Sequence, residues 1–116
     1  MAVDFESEMY KKQRFNCENI LNKVQKNVKG HFPDIYHSFE MGIYIKPEDY
    51  FVAYIFRTNE QLETAEQNGL LEKINLFHKK QLRKNHYPIQ GIKDCVFASQ
   101  EKCEEEYNGN WFYYFK

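Results

Sequence analysis

Tyr107-Asn108-Gly109-Asn110-Trp111-Phe112-Tyr113-Tyr114-Phe115-Lys116 is the stretch on which the fold turns. Asn108-Gly109-Asn110 is a turn signal, because Gly and Asn tolerate positive φ. Five aromatics follow without a break. A strand points successive side chains to opposite faces. As a strand, this segment would put Trp111, Tyr113 and Phe115 on one face and Phe112 and Tyr114 on the other. With both faces apolar it reads as a central strand, covered on both sides. Each buried ring is worth roughly 1.5–3 kcal/mol, enough to hold a terminus that would otherwise fray. The functional reading of the same rings is a stacking platform or a partner-binding patch.

Working outward, the short acidic segment before the turn, Gln100 to Tyr107, is a helix capped by Ser99, with Glu101 near its positive end. Gly91 to Ala98 reads as a strand, with Ile92, Val96 and Ala98 on one face and Cys95 and Phe97 on the other. Tyr87-Pro88 ends the preceding helix. That helix starts at the capping box Thr58-Asn59-Glu60-Gln61, and Asn68-Gly69 is a place where it can split. Leu62, Leu70, Leu71, Ile74, Phe77, His78 and Leu82 form its inward stripe. Its early residues are acidic and its late ones basic, matching the helix dipole.

Earlier still, Ile35 to Lys46 alternates. Ile35, His37, Phe39, Met41, Ile43 and Ile45 face one way, and Tyr36, Ser38, Glu40, Tyr44 and Lys46 the other. Pro47-Glu48-Asp49 turns the chain, and Tyr50 to Arg57 returns as an interior strand, apolar on both faces. The chain opens with a helix from about Asp4 to Lys29. Phe5, Met9, Cys17, Ile20, Leu21, Val24 and Val28 are its stripe, and Gly30 its stop. Lys11, Lys12, Arg14, Glu18, Lys23 and Lys26 make its solvated face.

These elements predict an α+β two-layer sandwich. A right-handed strand–helix–strand crossover sets the third strand parallel to the second with one position between them. The aromatic tail fills that gap. The result is a four-stranded, mostly antiparallel sheet with two long helices on one face. It resembles a ferredoxin-like sandwich in circularly permuted order, α-β-β-α-β-short α-β. The other sheet face is left open, an apolar patch that dimerisation or a docked partner would cover.

The 116 residues suffice for one domain that folds without staples. A net charge of −1 steers the chain toward neither nucleic acid nor membrane. Cys17, Cys95 and Cys103 are scattered and odd in number, which fits reduced, buried thiols in a cytoplasmic protein. Asp4, Glu6 and Glu8 stand where a signal peptide would be basic and apolar.

No stretch carries a nucleophile setting, a phosphate loop or a metal-ligand spacing, so no catalytic residue, cofactor or metal is expected. His37 and His78 could meet in the fold, the basis of a small His-based enzyme as one alternative. Cys95, Cys103, His31 and His37 are the only soft metal-ligand candidates. Glu104, Glu105 and Glu106 fan around a helix and cannot converge. Lys79, Lys80, Arg83 and Lys84, with Lys93, His78 and His86, form a basic end. Beside an aromatic sheet that end supports a second alternative, a single-stranded nucleic-acid binder. The leading expectation is a small cytoplasmic, non-enzymatic protein-binding or regulatory module of the immunity, antitoxin or inhibitor kind. Its partner would be another protein or a second copy, with no membrane involved. Tyr36, Tyr44, Tyr50, Trp111 and Tyr113 are the candidate partner-binding rings, with Tyr87 as a further one.

Overall fold

The long first helix, α1 (Ala2–His31), buries Cys17, Leu21, Val24 and Val28 of the expected stripe and half-buries Ile20. The computed structural model describes residues 2–42 and 46–116. Ile43, Tyr44 and Ile45 lie outside the described residues, as do the side chains of Phe5, Met9 and Arg14.

Two strands follow as an antiparallel pair: β1 (His37–Gly42) and β2 (Tyr50–Phe56), in a register that sets His37 opposite Ile55 and Gly42 opposite Tyr50. A 3-10 turn at Pro47–Asp49 leads into β2, with the Asp49 carboxylate accepting from the Lys46 backbone N–H. Tyr50, Val52, Tyr54 and Phe56 of β2 face the helices, while Ala53 and Ile55 face the other side. The interior position expected for β2 follows from this two-sided burial.

Thr58 starts α2 (Asn59–Gln67) by accepting the Gln61 N–H at 3.1 Å. Asn68-Gly69 then breaks the helix. Gly69 adopts φ 81, a left-handed conformation that glycine takes without strain, and α3 (Leu70–Lys84) begins in a new direction. Ile74, His78 and Leu82 of α3 pack with α1 and β2.

The expected sheet is corrected here. Among the described residues it has three strands, in the order β1-β2-β3, not four. β3 (Val96–Ser99) pairs directly and in parallel with β2, Ala53 opposite Val96 and Phe56 opposite Ser99, so no position is left between them. The α2–α3 pair is crossover enough to bring adjacent parallel strands together. The aromatic tail is a short helix, α5 (Trp111–Tyr114), preceded by α4 (Gln100–Tyr107). Neither the permuted ferredoxin-like order nor the pair of long helices over one face survives. Among the described residues there are five α-helices. The reason lies in Asn110, whose side chain accepts the Tyr113 N–H at 3.2 Å and so starts a helix where the turn signal led to an expected strand.

β3 also begins later than Gly91. Ile89–Gly91 is a 3-10 turn, and the Asn75 side-chain carbonyl takes the Cys95 backbone N–H at 3.0 Å, a donor that a longer strand would have used in its ladder. Gly91 sits against Tyr87 and the Pro47 carbonyl, where a Cβ would fall 2.6 Å from the ring and 2.8 Å from the oxygen.

Candidate partner-binding face

The face of the sheet away from α1 and α3 is covered by the C-terminal segment. Ser99 caps α4 by accepting the Lys102 N–H at 3.1 Å, and Glu101 in its first turn accepts the Asn59 N–H at 2.8 Å. α4 stops at Asn108 and Gly109, both left-handed, φ 52 and 76. The reversal lays α5 back on the sheet.

Trp111, Tyr114 and Phe115 sit at positions i, i+3 and i+4, so a helix puts them on one face. That face meets Ala53, Ile55 and Ala98 in a second, smaller core. Trp111 lies 5.4 Å from Phe39, and Phe115 lies 5.5 Å from Phe51, centroid to centroid. Trp111 and Phe115 stack at 5.9 Å. These separations fall in the range where ring pairs attract beyond their buried area. Yet no residue of α5 is fully buried.

Phe112 and Tyr113 occupy the outer side of α5 and remain 64% and 56% exposed. Their rings are 5.7 Å apart. Lys116 stands over Tyr113 at 5.6 Å and Lys102 over Tyr114 at 5.9 Å, cations placed on ring faces. Glu104, Glu105 and Glu106 of α4 are exposed nearby in sequence, and Lys102 pairs with Glu106 at 4.0 Å.

The remaining candidate rings are dispersed. Tyr36 is 55% exposed just before β1, its ring under the Arg57 guanidinium at 5.6 Å. Tyr50 is 3% exposed and belongs to the main core, so it offers no ring to a partner. Tyr87 is also buried, donating to the Pro47 carbonyl at 2.6 Å. Tyr44 lies outside the described residues. Trp111 is half-buried against the sheet and Tyr113 is exposed on the outer side of α5. Phe112, assigned from the sequence to a buried strand face, is the ring that the strand reading missed. A helical count from Asn110 would have found it.

Lys79, Lys80, Arg83 and Lys84 lie on α3, across the sheet from α5. Lys79 is held by Asp94 at 2.9 Å. The Asn75 amide, then Lys79, keeps the Asp94 carboxyl below its usual range.

His37 and His78 do not converge. His37 is an exposed residue of β1, while His78 is buried, as its place in the inward stripe of its helix implies. His78 Nδ1 and the Tyr54 hydroxyl share a hydrogen bond of 2.8 Å. Burial pushes the imidazole down to about 4, leaving it neutral at physiological pH. Cys17, Cys95 and Cys103 are buried, and burial raises all three thiols, Cys95 to about 12. A thiol held protonated is a poor nucleophile and a poor metal ligand. Among the described residues no group of three acidic, His or Cys side chains is placed to hold a metal ion. Nor is any helix long and apolar enough to cross a membrane.

Set beside family models, characterised proteins and solved structures, the chain shows no match.

Proposed function

We propose that this chain is a cytoplasmic, non-enzymatic protein-binding module that docks a protein partner through the outer side of α5. The observation that carries the reading is the adjoining pair Phe112 and Tyr113, both more than half exposed on a helix whose other rings already cover the sheet. A single exposed ring is ordinary on a protein surface. Two adjoining rings, with the Lys116 ammonium over one of them, have the apolar centre and polar margin of a docking patch. The geometry also supports binding over chemistry: the three thiols are buried and protonated, and His78 is neutral and spent on Tyr54.

The nucleic-acid alternative needs phosphate-binding cations and stacking rings on one surface. Here the α3 cations and the α5 rings lie on opposite sides of the sheet. The protein reading is therefore the better supported.

The test is a comparison of two baits, the wild-type chain and a Phe112→Ser/Tyr113→Ser double variant, against lysate of the native host. A protein enriched by the first and lost from the second, with matching thermal unfolding of both baits, is the expected result. Identical capture by both baits would overturn the assignment of the face. A concentration-dependent rise in mass by light scattering, abolished in the double variant, would identify the partner as a second copy.

A further inference from the structure

On the helix side of the sheet, the α2–α3 corner and the connector after α1 enclose a groove of about 310 Å³. Leu70 gives it an accessible apolar wall over a floor of Phe56 and Ala65, 1% and 2% exposed, and Asp34 and Glu60 supply exposed carboxylates. No Lys, Arg or His lines it. Among the described residues neither Asp34 nor Glu60 takes part in an ion pair. The nearby N-terminus of α2 holds no room for an anion, because the Glu101 carboxylate already accepts the Asn59 N–H there at 2.8 Å. The charged side chains that line the groove are thus both carboxylates.

A volume at the low end of the range for binding pockets, about 300–1,000 Å³, suits a side chain. The chemistry narrows which one. An apolar lining calls for methylenes, and uncompensated carboxylates call for a cation. Lysine joins a four-carbon apolar stem to a compact ammonium. We propose that this groove takes the side chain of a lysine presented by a protein partner. The stem packs against Leu70 over the floor of Phe56 and Ala65, and the ammonium is drawn to Asp34 and Glu60. The groove lies across the sheet from α5, so this proposal and the α5 docking face fail separately.

Titration of the ¹⁵N-labelled full chain with a short capped Gly-Lys-Gly peptide tests it. Saturable amide shifts are expected at Gln61, Thr64 and Ala65, with an affinity of about 1–10 mM, as one desolvated charge and a short stem provide. The same peptide carrying Nε-acetyl-lysine should bind severalfold more weakly, as should the wild-type peptide at raised salt. Asp34→Asn/Glu60→Gln should lose the shifts while the rest of the spectrum holds. Thr64→Trp, a change at an exposed helix position that fills the groove, should lose them with both carboxylates in place. Equal shifts with the acetylated peptide, unchanged binding by either variant, or no shift at all would overturn the proposal.

Discussion

His78 is a titratable side chain shut inside the main core. It is 2% exposed, bonded to Tyr54, and held neutral down to about pH 4. In the unfolded chain the same imidazole titrates near 6.5. Between those values the unfolded state takes up a proton that the folded state refuses, so stability is full above about pH 6.5 and falls as pH drops toward 4. At about 1.4 kcal/mol per unit, the loss approaches 3 kcal/mol by the low end of the window. Urea unfolding from pH 7 to 4.5 should show it, and His78→Gln should flatten the slope. Asp94, depressed below its model-compound value of 3.8, contributes only further down in acid, so the two are separable. A wild-type slope unchanged in His78→Gln would remove His78 as its source. A second residue-scale test concerns Gly91. Its φ is unremarkable, but a Cβ there would meet the Pro47 carbonyl carbon and oxygen, both at 2.8 Å, and these are backbone atoms that cannot step aside. Gly91→Ala should cost about 1–3 kcal/mol by overpacking, read as a lower urea midpoint with unchanged slope. An unchanged midpoint would show that the two turns can part.

At the scale of the element, α5 behaves as two half-surfaces with separate duties. Phe115→Ala removes a ring packed on Phe51 and Trp111, and should destabilise by about 1–3 kcal/mol. Phe112→Ala removes a ring 64% exposed, and should lie within about 0.5 kcal/mol of wild type. Thermal unfolding of the pair checks it; equal losses would mean that the helix does not divide as described. The same helix shows why part of the fold could not be read from sequence. In an all-aromatic run every period is satisfied, so Trp111, Tyr113 and Phe115 fit a strand as well as Trp111, Tyr114 and Phe115 fit a helix. Only Asn110 distinguishes them, and asparagine serves turns and helix caps alike. Elsewhere polar residues broke the tie. The solvated face of α1, the Thr58 cap, the Asn68-Gly69 break and the alternation through Ser38 and Glu40 each excluded one reading. Even so, Ser38 and Glu40 turned toward α1, where Gln25 bonds both, at 2.8 and 2.6 Å. Alternation fixes which residues share a face, and a helix-borne glutamine decides which face is covered. The candidate site was less legible still. Exposure of Phe112 follows only once the tail is counted as a helix, and burial of Tyr50 follows from the interior place of β2, which sets its ring at odds with a partner-binding role.

Across the whole molecule, the two sides of the sheet are unequally built. The helix side packs α1, α2 and α3 on β2 around fully buried Tyr54, Phe56, Ile74, Val24 and Val28. The other side has Ala53, Ile55 and Ala98 beneath a four-residue helix of half-exposed rings. Regions with little buried apolar contact open at lower free energy than the core. The free thiols sit so as to report this. Cys17 is on α1 and Cys95 enters β3, both within the main core, whereas Cys103 is on α4, next to the thin cap. All three are buried and raised by burial, so each must be exposed by opening before a disulfide reagent can reach it as thiolate. Cys103 should therefore be modified first under native conditions, at a rate set by opening of α4 and α5. Cys17 and Cys95 should wait for global unfolding and follow its denaturant dependence. Phe115→Ala should accelerate Cys103 more than the other two, because it loosens the cap and leaves the helix side intact. Mass spectrometry of timed, quenched aliquots resolves the three sites. Simultaneous modification of all three would mean that cap and core open as one unit, and that α5 is as firmly seated as the helices across the sheet.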